Sequence, residues 1–167
     1  ILDLGCGTGL SVEPFIDIST HRIGVDISAG MLEKAREKKL YAELHHCEIE
    51  DFITDHVQRY PLIVCLDTIM YMGDLSSIFS AISKCLEANG LFAFSVEGNI
   101  ATGYRLQSTD RYSHSMKYLI DLTQKNNLAV VHNQHINIRK DGSGWVTGRL
   151  LLLRHRNATP HPRTRNP

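Results

Sequence analysis

Three short stretches hold the residues best suited to chemistry. The first is Ile-Leu-Asp-Leu-Gly-Cys-Gly-Thr-Gly-Leu, residues 1–10, in which Gly5, Cys6, Gly7, Thr8 and Gly9 follow an apolar run. Glycines in such a turn tolerate positive φ and let a ligand come close to the backbone. The amides of a turn that leads into a helix are free to donate. The spacing approaches the diphosphate-binding pattern G-x-G-x-x-G, but Leu10 stands at its third position and the last glycine falls at Gly9. Asp3, inside the preceding run, disfavours a diphosphate and suits a cationic ligand. It can also brace the turn by accepting backbone amides. The second stretch is Gly24-Val25-Asp26-Ile27-Ser28, with Asp26 placed 21 residues after Gly5. At about that spacing a strand-end acid receives the two hydroxyls of a ribose; the competing role for Asp26 is to cap the helix that follows. The third is Cys47-Glu48-Ile49. Glu48 can accept from an exocyclic adenine amine while Ile49 packs on the ring, or it can be a solvated charge at a strand end.

These residues need a scaffold that brings strand ends together. Short apolar runs alternate with helical patterns: strands at 1–4, 21–27, 42–47, 62–66 and 91–96, and helices at 10–18, 29–38 and 50–58. The clearest helix follows Gly73, with Asp74 as its cap and Leu75, Ile78, Phe79, Ile82, Cys85 and Leu86 on one face. Asn89-Gly90 is expected to end it in a left-handed cap. Residues 98–112 read as a polar loop, and Ser113 or Ser115 as the cap of a helix reaching about Asn126. Two longer strands, 128–139 and 145–154, are joined by Lys-Asp-Gly-Ser-Gly, a hairpin turn. Five strand–helix units followed by a hairpin imply an α/β, doubly wound, Rossmann-like sheet, mostly parallel, with a C-terminal antiparallel hairpin. In such a sheet ligands bind where strand order reverses, at the carboxyl ends of the strands.

Composition bounds the alternatives. The 167 residues, 43% hydrophobic and 22% charged, fit one domain. No run approaches the roughly 18 apolar residues that cross a membrane, and the opening residues carry no secretory signal. Cysteines at 6, 47, 65 and 85 form no C-x-x-C pair and read as reduced thiols of a cytoplasmic protein. His45, His46, Cys47 and Glu48 alternate across a strand and cannot converge on one ion, so no metal site is expected. Residues 1–80 carry 13 acids and 6 bases, while 81–167 carry 5 acids and 12 bases. Some of that basic excess lies in residues 154–167, and residues 157–167 read as a disordered polar tail rather than a nucleic-acid contact. Trp145 is expected in the core.

Taken together, Asp-Leu-Gly-Cys-Gly-Thr-Gly, Gly-Val-Asp-Ile-Ser and Met-Leu-Glu-Lys-Ala-Arg resemble the class I methyltransferases that use S-adenosyl-L-methionine, a seven-stranded fold. The resemblance runs from Ile1 to about Arg154. Residues 62–75, 91–98, 104–107 and 111–119 narrow it to predicted methyltransferases often linked to tetratricopeptide repeats. It implies a methyltransferase domain over 1–156, with the helices that usually precede the first strand missing, and a tetratricopeptide-repeat region in the full-length chain. It also implies that Gly5, Cys6, Gly7 and Gly9 line the methionine part of the cofactor, with Asp3 behind the turn. Asp26 takes the ribose hydroxyls, Ile27 and Met31 flank the adenine, and Glu48 and Ile49 sit at its edge. Asp67 lies near the reacting methyl group. Glu48 departs conservatively from the group's usual Asp.

The acceptor, by default a small molecule, is not encoded in any recognisable motif. If it is a hydroxyl or amine, His114, Glu97, Tyr71 and Asp67 are the candidate bases, with Tyr71 and Met72 as walls of the site. Arg105 and Arg111 could hold an acidic substrate group. An NAD(P)-dependent oxidoreductase and a non-catalytic cofactor-binding assembly factor are the rival readings. Leu10, Asp3 and the terminal hairpin argue against the first of these.

Overall fold

A computed structural model describes residues 1–54, 57–97, 102–142 and 144–157. Nine strands and four α-helices alternate among them: β1 (Leu2–Leu4), β2 (Ile23–Asp26), α1 (Ala29–Lys38), β3 (Glu43–His46), α2 (Ile49–Thr54), β4 (Tyr60–Cys65), α3 (Ser76–Cys85), β5 (Leu86–Glu97), β6 (Tyr104–Leu106), β7 (Tyr112–His114), α4 (Met116–Lys125), β8 (Leu128–Asp141) and β9 (Gly144–His155). Seven strands form one sheet in the order β3-β2-β1-β4-β5-β9-β8. Strands β1 to β5 are parallel, and β9 runs antiparallel to both β5 and β8. The expected fold is therefore present: a doubly wound, mostly parallel sheet with a reversed strand from the terminal hairpin. Order reverses between β1 and β4, which puts the ligand-binding crevice above those strand ends.

Alternation along the strands builds a core on each face of the sheet. Leu2, Leu4, Ile63, Cys65, Phe92 and Phe94 join the buried residues of α2, α3 and α4 in the larger cluster. Phe79 of α3 meets Phe92 and Phe94 edge-on, with ring centroids 5.9 and 5.6 Å away. Ile1, Val12 and Val64 form the smaller cluster with Phe15, Leu40 and Tyr41 packed on it.

Several expectations are corrected. The helix expected at 10–18 is only a single 3-10 turn, Glu13–Phe15. Pro14 cannot donate, and the β-branched Val12, Ile16 and Ile18 disfavour propagation. Helix α3 stops at Cys85, before Asn89-Gly90, and β5 begins at once with buried Leu86 paired to Tyr60. Gly90 lacks the positive φ of a helix cap. It serves close packing instead, since a Cβ there would lie 2.8 Å from the Tyr60 carbonyl oxygen. Helix α2 is described from Ile49 to Thr54; residues 55 and 56 of its expected span lie outside the described residues, and 57 and 58 are not helical. Part of the expected loop 98–112 is a second, two-stranded sheet of β6 and β7, and residues 98–101 lie outside the description, as do 158–167 of the expected tail. Trp145 is 54% exposed, beneath the Lys140 ammonium, and not in the core.

Of the expected caps, Ser115 is the one that holds its helix end as read. Ser28 caps α1, accepting from the Met31 amide, and Ser115 caps α4 by accepting from that of Tyr118. Asp74, expected to cap α3, stands one residue before its cap position, Leu75. It accepts from the Ser76 amide and the Tyr118 hydroxyl, each at 2.9 Å, and the Ser76 side chain first, then that amide and hydroxyl, hold its carboxyl below the usual carboxylate range.

Candidate active site

The crevice at the switch point is a cleft of about 1100 Å³. One side is made by residues following β1, β2 and β3, the other by residues following β4 and by Ile138 of β8. The turn after β1 is fastened to β2: the Gly5 and Cys6 amides both donate to the Val25 carbonyl, at 2.8 and 3.0 Å. Gly5 adopts φ 73°, and a Cβ on it would lie 2.3 Å from the Thr68 side chain. Thr68 in turn donates toward the Gly5 and Leu66 carbonyls at 3.3 and 3.0 Å. So Gly5 is required both by its backbone conformation and by the close approach of the chain after β4. Gly7 has open space where its side chain would be.

Asp26 ties the turn to α1. Its Oδ2 accepts from the Gly7 amide at 2.7 Å and its Oδ1 from the Ser28 amide at 2.8 Å. Each oxygen keeps a further lone pair. Beside it, Ile27 and Met31 are 61% and 43% exposed. These are large apolar side chains offered to the cleft at no gain in burial, as a wall for a flat ligand would be. Glu48 and Ile49 stand at the same end, after β3.

Asp3 is fully buried behind the turn and does not line the cleft. It accepts side chains, not the expected backbone amides: Ser11 Oγ at 2.5 Å and the Tyr41 hydroxyl at 2.6 Å, both on Oδ2. Its Oδ1 is buried with no hydrogen-bond partner among the described residues. Burial raises its carboxyl to about 6, against the lowering effect of Ser11 and Tyr41. Gly9 also faces away from the cleft; a Cβ on it would meet the Tyr41 ring at 2.9 Å.

Across the cleft, Asp67 follows β4 with a left-handed backbone, φ 52°. Its amide donates to Ser95 Oγ at 2.7 Å. Its Oδ1 accepts from Arg139 Nη1 at 2.7 Å, and Arg139 Nη2 donates to Glu97 Oε1. Burial pulls the Arg139 guanidinium down, but the hydrogen bond to Glu97 and the attraction of Asp67 outweigh it and leave its pKa raised. Tyr71 and Met72 also line this end, and the Arg111 guanidinium lies 5.6 Å from the centre of the Tyr71 ring.

Of the residues singled out from the sequence, Gly5, Cys6, Gly7, Asp26, Ile27, Met31, Glu48, Ile49, Asp67 and Tyr71 border one cleft. His114 does not reach it. Its side chain is 2% exposed, among Tyr104, Tyr112 and Tyr118, with Nε2 3.0 Å from the Gly73 carbonyl oxygen. Burial lowers its pKa, although the Gly73 and Met72 carbonyls act the other way. Sequence reasoning missed Ser11, Tyr41, Thr68, Ser95 and Arg139. Ser95 carried a signal, as the polar residue within Leu-Phe-Ala-Phe-Ser-Val. Arg139 carried none, since 72 residues separate it from Asp67. Among the described residues no group of three or more His, Cys, Asp or Glu could hold a metal ion. His46 is engaged with the Ile27 carbonyl and His45 with Glu43. No described helix is long and apolar enough to cross a membrane, which says nothing of a β-barrel.

Comparison with known proteins adds three findings. The family described as "Methyltransferase domain" matches residues 2–92. A ubiquinone biosynthesis O-methyltransferase of Aromatoleum aromaticum is 27% identical over 99 residues, 57% of this chain and 42% of that protein. Its counterpart in Nitrobacter winogradskyi is 32% identical over 100 residues, 57% of this chain and 37% of that one. The chain thus spans about two-fifths of the length of these curated relatives. Among solved structures, an S-adenosylmethionine-dependent methyltransferase from Clostridium acetobutylicum superposes with TM-score 0.71 at 17% identity, covering 92% of this chain and 82% of that one. Magnesium protoporphyrin IX methyltransferase from Synechocystis, with bound SAM, also gives TM-score 0.71, at 15% identity and 92% and 68% coverage. At these identities the structural likeness speaks to the fold.

Proposed function

The chain belongs to the methyltransferase domain family, and from that premise we propose that its cleft binds S-adenosyl-L-methionine and directs the methyl group to an oxygen of a small-molecule acceptor. The observation that carries the reading is the Asp26 carboxylate, fixed by the Gly7 and Ser28 amides at 2.7 and 2.8 Å. A carboxylate oriented in this way can accept both hydroxyls of a ribose without turning. The oxygen acceptor rests on the names of the curated relatives, which are O-methyltransferases.

Bound there, the cofactor supplies a methyl group already activated by the sulfonium charge. Gly5, Cys6 and Gly7 line the methionine end in this reading, Ile27 and Met31 flank the adenine, and Glu48 and Ile49 meet its edge. Asp67 lies toward the methyl group, and Tyr71 walls the acceptor side. The residues need only hold donor and acceptor in line and exclude water. Such orientation lowers a barrier by about 7–11 kcal/mol in well-ordered cases. His114, buried behind Met72 and absent from the cleft lining, takes no chemical step in this reading. The assignment covers residues 1–156 and a cytoplasmic setting, in keeping with four free thiols. From the resemblance to the repeat-linked group comes the further proposal of a tetratricopeptide-repeat region elsewhere in the full protein, which sequencing of the adjoining reading frame tests.

Calorimetry with S-adenosylmethionine, its demethylated product and NADH tests the main reading. Both sulfur ligands are expected to bind and NADH is not. Replacing Asp26 by Ala should weaken both sulfur ligands roughly 10- to 100-fold, the cost of stranding two amides and losing the diol contact. Heat from NADH alone would reject the assignment.

A further inference from the structure

The cleft puts a cluster of charges where the proposed reaction changes charge. Asp67 and Glu97 follow β4 and end β5, and Arg139 reaches both from β8. The side chains of Arg139, Glu97 and Asp67 are 20%, 13% and 46% exposed, and Asp67 is the member of the group that lines the cleft. Among the described residues Arg139 is the cation that pairs with either carboxylate. Its neighbour Ile138 lines the cleft, as Asp67 does. Two carboxylates and one guanidinium leave the cluster one net negative charge instead of two.

That difference acts on one side of a methyl transfer. A sulfonium reactant is positive and its thioether product is neutral. Carboxylates nearby therefore stabilise the reactant, and that stabilisation fades as the carbon–sulfur bond breaks. Interactions stronger in the ground state than in the transition state slow a reaction. Resting on the cofactor reading above, we propose that Arg139 is a positioning residue that offsets the Asp67 and Glu97 charge, so that the cleft orients the donor without over-stabilising its sulfonium. It does so without touching the cofactor, by fixing both carboxylates and halving their net charge.

The test compares affinities for S-adenosylmethionine and its demethylated product in this chain and in three variants, with circular dichroism as the check on folding. In Arg139→Gln, the ratio of product Kd to cofactor Kd should rise roughly tenfold, as expected for one unit charge near a partly exposed site. Arg139→Lys keeps the charge and should hold the ratio within about twofold of the parent. Glu97→Gln removes a negative charge and should lower the ratio. This opposite sign keeps the inference open to refutation even if Arg139→Gln misfolds. A purely structural Arg139 would weaken both ligands together in the Gln and Lys variants and leave the ratio unmoved, which overturns the proposal. If the unaltered chain binds neither ligand, the cofactor reading falls and this inference with it. Binding of both with an unmoved ratio overturns this inference alone.

Discussion

The two walls of the cleft are built by different rules. The wall above β1, β2 and β3 is assembled from backbone and from residues close in sequence: Asp26 meets the Gly7 amide 19 residues away and the Ser28 amide two residues away. The wall above β4, β5 and β8 is assembled from side chains far apart, with Arg139 joined to Asp67 and Glu97 across 72 and 42 residues. The first wall is held by turn conformation and amides, the second by charge pairing. A site on the first wall is fixed once two neighbouring strands form. The second needs the terminal hairpin, in which β9 lies between β5 and the β8 strand that carries Arg139. It follows that substitutions on the first wall should act through the backbone and the fold, whereas those on the second should act on electrostatics, as Arg139 is expected to do.

The sharpest test of that contrast is Gly5→Ala. A methyl group there collides with Thr68 at 2.3 Å while forcing φ 73° on a residue with a Cβ. Overpacking and left-handed strain together should cost about 3–4 kcal/mol of stability, read by urea unfolding. Gly7→Ala carries similar backbone strain, φ 52°, but meets nothing within 4 Å, so it should cost about 1 kcal/mol. Equal costs would show that the approach of Thr68 is not what demands glycine.

Legibility followed the same division. Helix α1 was read to its observed bounds because the good helix formers that build it all lie within the segment, although its cap is Ser28 and not Asp26. The terminal strands were visible as long runs about a turn. The glycine turn with its following acid was visible because neighbours in sequence build it. What escaped depends on distant partners. Leu86 leaves a helical pattern because Tyr60 offers it a strand to pair with. The β6–β7 pair has three-residue strands whose register only the folded neighbourhood of Gly73 and Tyr118 supplies. Arg139 follows a register shift in β8 at Ile138, and nothing in its vicinity along the chain marks it as a partner of Asp67.

Asp3 gives the next largest effect. Free in an unfolded chain it titrates near 3.8, and burial raises the folded value to about 6. Between those values the folded state keeps a proton the unfolded state has released. The contribution to stability is therefore complete below about 3.8 and is lost as pH rises through 6. Asp3→Asn should escape that loss. Its stability relative to the parent should improve by roughly 2–3 kcal/mol between pH 4 and pH 7, measured by urea unfolding at each pH. A constant difference between the two proteins would place the titration elsewhere.

The smallest effect separates structure from chemistry just behind the second wall, where His114 packs against Met72 without lining the cleft. His114 lies under three tyrosines, and its pKa is lowered by burial. Below its ordinary value of 6.5 the unfolded chain takes up a proton that the folded chain resists, so stability should fall as pH drops through that value and be whole above it. His114→Gln removes this acid-side loss while its amide can still donate to the Gly73 carbonyl. It should cost about 1 kcal/mol at pH 8 through altered packing, and leave the affinities for S-adenosylmethionine and its demethylated product within about twofold. If instead the variant keeps its stability and loses turnover with a small-molecule acceptor, His114 must reach the acceptor in a conformation where the tyrosine cluster has opened. The second wall would then owe its chemistry to movement of the β6–β7 pair and not to the fixed charges around Arg139.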